Sequence, residues 1–132
     1  MPFIVKGVMT KEAAKRCMDA GCYGIVISNH GGRVMDDTPA PASMIEEIRA
    51  AVGNKLKIFV DGGIRSGNDI FKCLALGADA VLIGRPFAIA AHGGREEGVE
   101  LLAKKLGAEL KETMLMTDCK TLKDINRSKI IL

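Results

Sequence analysis

The chain has 132 residues, 48% of them hydrophobic and 27% charged, with 15 Gly and 4 Pro. That composition suits one compact domain and excludes both two full domains and a predominantly disordered chain. Nineteen Lys and Arg against sixteen Asp and Glu leave a formal net charge of +3, and the basic residues are scattered with almost no aromatics near them, which argues against nucleic acid as a partner.

From the N-terminus, Phe3–Val5 reads as a strand and Lys11–Ala20 as a helix, with Thr10 near its start and Gly21 just past its end. Gly24–Ile27 is the second strand. Ser43–Val52 is the second helix, starting at Ala42 or Ser43 and followed by Gly53. Lys57–Val60 and Asn68–Leu76 form a third pair, with Gly67 before the helix and Gly77 after it. Ala80–Ile83 is the fourth strand, and the spacing of apolar residues from Val99 to Leu115 makes Arg95–Met116 a long final helix, with residues 117–132 as a tail. Each strand is a near-continuous apolar run, the pattern of a strand covered on both faces. Strands alternating with helices imply a parallel sheet.

A repeat underlies this order. Gly21–Ser28 aligns with Gly77–Gly84 at an offset of 56, and Phe3–Gly7 aligns with Ile58–Gly62 at an offset of 55. The unit is a pair of strand–helix modules used twice, with Lys6, Ser28, Asp61 and Gly84 closing the four strands. A full (β/α)8 barrel takes about 250 residues, so this α/β chain reads as half of one, a single partial domain over residues 1–132. Ligands of such folds bind at the C-terminal edge of the strands, where loops vary while the sheet stays packed.

Cys17, Cys22, Cys73 and Cys119 form no CxxC pair and no zinc spacing, so free buried thiols and no metal site are expected. The apolar stretch within Met1–Lys11 is too short for a signal peptide, and no apolar run approaches the ~20 residues of a membrane span. A cytoplasmic, reducing location follows as the expectation.

Three strand-end loops carry chemistry. Ser28-Asn29-His30-Gly31-Gly32-Arg33 places an imidazole and a guanidinium close together around two glycines that let the backbone bend. A neutral imidazole can take a proton from a substrate, and a guanidinium can grip a carboxylate by two parallel hydrogen bonds. Asp61-Gly62-Gly63-Ile64-Arg65-Ser66-Gly67 opens a helix, and Ile83-Gly84-Arg85-Pro86 follows the next strand. Glycine-rich loops before helix N-termini offer backbone N–H groups to an anion, and the two arginines add charge, which together point to a phosphate site.

Together with Pro2-Phe3-Ile4-Val5-Lys6-Gly7, these motifs resemble the C-terminal half of the FMN-dependent α-hydroxy acid oxidase and dehydrogenase family, which includes glycolate oxidase, lactate oxidase and flavin-type L-lactate dehydrogenase. The resemblance covers nearly the whole chain in matching order. It implies FMN as cofactor and oxidation of a small L-2-hydroxy acid to the 2-oxo acid, with His30 as the base and both His30 and Arg33 holding substrate. It further implies that Lys6 lies beside the N1 and O2 edge of the flavin, where a cation stabilises the reduced form, and that Ser28 touches the flavin. Asp61, Gly62, Gly63, Ile64, Arg65, Gly84 and Arg85 would hold the ribityl chain and phosphate. From the residues alone, Lys6 as a solvated strand end and Asp61 as a helix cap stay open.

The family's N-terminal half, with its further flavin contacts, a substrate tyrosine and a second carboxylate-binding arginine, is not in this sequence. Two readings therefore stand: the catalytic half of an oxidoreductase, with the isolated chain inactive, or a non-catalytic half-barrel that binds flavin or phosphate. Asp36 and Asp37 read as surface-loop residues, and His92 as an exposed residue of a glycine-rich loop. Four parallel strands leave two apolar edges, so self-association or a partner supplying the other half is expected.

Overall fold

The computed structural model describes residues 1–131. Among these, the strands are β1 (Ile4–Val8), β2 (Gly24–Ile27), β3 (Lys57–Asp61) and β4 (Ala80–Leu82), and the helices are α1 (Lys11–Asp19), α2 (Ile45–Val52), α3 (Gly67–Ala75) and α4 (Arg85–Met116). The strands pair in parallel in the order β1-β2-β3-β4, each next to its sequence neighbour. That order is the progression of a barrel wall rather than of a doubly wound sheet, which reverses at a switch point.

One face of the sheet is closed by the helices. Ile25, Ile27, Ile58 and Val60 point into it and are 0% exposed, packed with Ile45, Ile48 and Val52 of α2 and with Ala14 of α1. Each such aliphatic side chain contributes about 1.5–3 kcal/mol by leaving water. The opposite face is open at both edges: Ile4 on β1 is 47% exposed and Leu82 on β4 is 43% exposed. The apolar runs predicted burial on both faces, and only the central strand β2, buried along its whole length, shows it. The outer strands lack the neighbour that a closed barrel would give them.

Several boundaries differ from the sequence expectation. β1 runs on to Val8, so Lys6 lies inside the strand rather than at its end, and pairing with β2 slips between Lys6 and Val8. Pro41–Met44 forms a 3-10 turn ahead of α2, whose first residue has no side-chain cap, so neither Ala42 nor Ser43 starts the helix. The loop expected at Ala91–Gly94 is helical. α4 begins at Arg85 and breaks only at Arg95, which takes φ 48° and ψ −134° and turns the chain back on itself. His92 is exposed as expected, but on a helix, where its Nδ1 lies 2.8 Å from the Ala88 carbonyl.

The last segment of the chain is packed. Cys119 and Ile125 bury against Phe71 and Ala75 of α3, and two 3-10 turns at Leu122–Asp124 and Arg127–Lys129 carry the chain past α2, where Arg127 pairs with Glu46 at 2.7 Å. All four cysteines are free. Burial pushes the Cys73 thiol up to about 11, so it stays protonated at ordinary pH. No helix among the described residues is long and apolar enough to cross a membrane.

Candidate functional site at the strand C-terminal edge

Parallel pairing brings the C-terminal ends of all four strands to one edge, where a cleft of about 270 Å³ opens. Lys6, His30, Arg33, the Asp61–Arg65 loop, Gly84 and Arg85 all line it, together with Gly31, Leu82 and Ile83. Of the residues expected to meet substrate or cofactor, Ser28 alone is not part of the lining. It lies beneath the cleft, 1% exposed, where its hydroxyl accepts from Lys6 Nζ at 2.7 Å and from the His30 backbone N–H at 3.2 Å. Ser28 thus fixes both a cation and the start of the histidine loop.

Lys6 Nζ also donates to Asp61 Oδ2 at 2.6 Å. This pair joins equivalent positions of the internal repeat, one on β1 and one at the end of β3. Lys6 is a partnered strand residue, while the cap of α3 is Ser66, whose hydroxyl accepts from Asp69 N–H as the Asp69 carboxylate accepts from Ser66 N–H. The second Asp61 oxygen, Oδ1, is buried and has no hydrogen-bond partner. A buried carboxylate oxygen in that state calls for a donor from outside the chain, since leaving it unsatisfied costs about 1–3 kcal/mol.

His30 adopts φ 56°, a left-handed conformation that asparagine and histidine reach more readily than most side chains. The turn is held by Asn29, whose Oδ1 accepts from Gly32 N–H at 3.1 Å and whose amide reaches Thr38 Oγ1 and the Pro39 carbonyl at 3.4 Å. Sequence reasoning assigned Asn29 no role. Its signal was the Asx-turn pattern of an asparagine ahead of glycines. Gly62, at φ 93°, passes so close to Pro41 that a β-carbon there would stand 3.3 Å from its Cγ, so the third loop is seated on the second by a glycine. Asp36 and Asp37 are exposed, as expected of surface-loop residues.

The anion-binding groups are distributed differently from the sequence expectation. The N-terminus of α3 is already satisfied: Asp69 accepts from the Arg65 and Ser66 backbone N–H groups, and Glu109 Oε2 from α4 accepts from Gly67 N–H at 2.7 Å. The first turn of α4 has no side-chain cap. Gly63 and Gly84 face open space, and the exposed Arg65 and Arg85 guanidinium groups reach only loop carbonyls, of Ile64 at 2.9 Å and of Gly31 at 3.4 Å. The groups left open at this edge are therefore the start of α4, the glycine loops and two arginines, while the first N–H groups of α3 are already occupied.

A half-barrel with an imidazole, three guanidinium groups and open glycine loops lining one cleft at its strand C-terminal edge has the arrangement of a barrel oxidoreductase. The chain belongs to the FMN-dependent dehydrogenase family, whose model matches residues 1–132. It is 44% identical over 132 residues to a peroxisomal (S)-2-hydroxyacid oxidase of Arabidopsis thaliana, covering 98% of this chain and 36% of that protein. Against an L-lactate oxidase of Lactobacillus jensenii it is 46% identical over 130 residues, covering 98% and 32%. Against the glycolate oxidase of Spinacia oleracea it is 44% identical over 132 residues, covering 98% and 35%.

A crystal structure of mandelate oxidase superposes with a TM-score of 0.93 at 42% identity, covering 96% of this chain and 39% of that one. Another, of a mandelate oxidase variant carrying a monooxide FMN adduct, gives the same score. The chain thus spans about a third of the length of the curated relatives it matches. FMN is the cofactor of this family. The residues here fit it: Asp61 Oδ1 lacks a donor, the glycine loops stand open, and two arginines flank them.

Proposed function

We propose that this chain is the catalytic half of an FMN-dependent enzyme that oxidises a small L-2-hydroxy acid to the 2-oxo acid. The observation that carries the proposal is the convergence of His30, Arg33, Lys6, Asp61, Arg65 and Arg85 on one cleft from four neighbouring strands and the loops that follow them. Its relatives named for lactate, glycolate and 2-hydroxyacid oxidation support the substrate class.

The oxidation removes two electrons and two protons from the substrate, and FMN supplies the two-electron acceptor when bound. The protein's part is to bind, orient and deprotonate. Arg33 holds the substrate carboxylate by its fork of N–H donors. His30 takes a proton on its imidazole as the bond at the substrate's α-carbon changes. Lys6, fixed between Ser28 and Asp61, would place a positive charge at the cofactor's edge, and Asp61 Oδ1 would accept a hydrogen bond from a hydroxyl of the ribityl chain. Arg65, Arg85 and the uncapped start of α4 hold the phosphate.

The test is flavin reduction followed by rapid mixing, in a barrel reconstituted from this chain and the first half of a 2-hydroxy acid oxidase. His30→Ala lowers the rate at saturating substrate by about 10²–10⁴-fold, the usual worth of general-base catalysis. Reduction at the wild-type rate would remove His30 from the chemistry. The isolated chain shows no measurable turnover, because its cleft is walled on one side and loss of positioning alone costs 10²-fold or more.

A further inference from the structure

We infer that Cys17 and Cys22 form a redox-active dithiol, which a peroxide converts to an intrachain disulfide at the N-terminal edge of the strands, opposite the cleft. The inference stands on one turn and its repeat and is independent of the FMN reading. After α1 the chain turns around Gly21, at φ 77°, with Gly21 N–H donating to the Met18 carbonyl at 3.0 Å and Cys22 N–H to the Cys17 carbonyl at 3.1 Å. These paired bonds define the left-handed glycine turn that ends many helices. It sets the side chain two positions past the cap residue, Ala20, against the one three positions before it.

Here both are cysteines. Cys22 is 7% exposed in the main core, and the half-buried Cys17 packs against that core. Burial first, then the charge and hydrogen bonding of the neighbouring Cys22 thiol, push the Cys17 thiol above its ordinary value.

The internal repeat supplies a control within the same molecule. α3 ends in the same turn, with Gly77 N–H donating to the Leu74 carbonyl at 3.0 Å and Ala78 N–H to the Cys73 carbonyl at 3.1 Å. At the offset of 56, Cys73 is the equivalent of Cys17, but the equivalent of Cys22 is Ala78. The second turn therefore carries one thiol and the first carries two.

Two thiols and one hydrogen peroxide give one disulfide and two waters. Cys17, the more exposed, loses its proton and attacks a peroxide oxygen; the O–O bond breaks, one water leaves, and the sulfur becomes a sulfenic acid. Cys22 then loses its proton and attacks the Cys17 sulfur; the S–O bond breaks and the second water forms. Two electrons pass from sulfur to peroxide, and the new S–S bond pins the end of α1 to the start of β2. Because the thiolate is the attacking form, the raised Cys17 thiol makes the first step slow at neutral pH.

The test is to incubate the purified chain with excess hydrogen peroxide, alkylate it in denaturant and digest it with trypsin. Both cysteines fall in the single peptide 17–33, since no Lys or Arg lies between them. The expected result is that this peptide loses the mass of two hydrogens and takes up no alkylating group, while Cys73 stays alkylatable, and that dithiothreitol restores both thiols. Cys22→Ala, which copies Ala78, and Cys17→Ser each abolish the loss and leave the far-ultraviolet circular dichroism unchanged. The inference is overturned if both thiols stay alkylatable, or if the cysteines gain oxygen without losing hydrogens. It is equally overturned by a bond from either one to Cys73, Cys119 or a second chain, and by a loss that either variant retains.

Discussion

Lys6, Ser28 and Asp61 show how a site residue can be legible in type and illegible in relation. Each stood out as a polar residue at or near the end of an apolar strand, but nothing in their spacing said that one lysine would bind both of the others, at 2.7 and 2.6 Å. That follows from adjacency across β1, β2 and β3, which is a property of strand order. Lys6→Met should leave the Asp61 carboxylate, 18% exposed, without its cation. The loss is about 1 kcal/mol in chemical denaturation, a buried charged hydrogen bond discounted because the Lys6 side chain is 46% exposed. Arg33 reaches open solvent in the cleft, and in the reconstituted barrel Arg33→Lys chiefly raises KM, since lysine keeps the charge and loses the two-pronged geometry. An unchanged KM with a collapsed kcat would show that Arg33 acts on the chemical step instead.

At the scale of elements, the start of α3 is held by more than its own sequence. Ser66 and Asp69 form a reciprocal cap of the Ser-x-x-acid kind, readable from the chain, while the bond from Gly67 N–H to Glu109 of α4 spans 42 residues and was not. A β-carbon at Gly67 would overlap the backbone of Glu109 and Leu110, so Gly67→Ala must push α4 off α3. Ser66→Ala, which removes only the cap, costs about 1 kcal/mol, and Gly67→Ala costs more in the same thermal melts.

The elements also set the acid limit. Burial works to raise the Asp69 carboxyl, but the Arg65 and Ser66 N–H groups and the Ser66 hydroxyl outweigh it and hold the group below its ordinary value. Asp79 is held down in the same way, against its burial, by the Ile58 N–H, Lys57 and Arg49. A carboxylate depressed in the folded state contributes stability that is whole above its unfolded pKa of about 3.9 and lost as pH falls through the folded value. Unfolding free energy should therefore be level on this account near neutrality and fall below about pH 4, and Asp79→Asn should flatten that fall.

For the whole molecule, the order of strands and helices, the half-barrel and the edge at which the polar strand-end residues gather were all legible, because apolar runs and end glycines report local structure directly. The Gly93-Gly94 pair marks where α4 is interrupted, but the break falls on Arg95 alone and the glycines stay helical, so Ala91–Gly94 looked like a loop. The two open edges were legible as well, from four parallel strands with no neighbour beyond β1 and β4, whereas the expectation of burial on both faces failed there because Ile4 and Leu82 carry the residue types of a closed barrel. Four parallel strands in this order form one wall of a barrel, and the cleft opens at the edge of that wall.

The central claim is that the last two strand-end loops of this chain hold the phosphate of FMN, and it is tested most directly by titrating FMN into the chain and following flavin fluorescence. Saturable binding is expected, weakened about 10- to 100-fold by Arg65→Ala and by Arg85→Ala, the equivalent of the 1.5–3 kcal/mol of a charge-assisted hydrogen bond. Absence of binding at millimolar FMN, or an affinity left unchanged when both arginines are replaced, would contradict it.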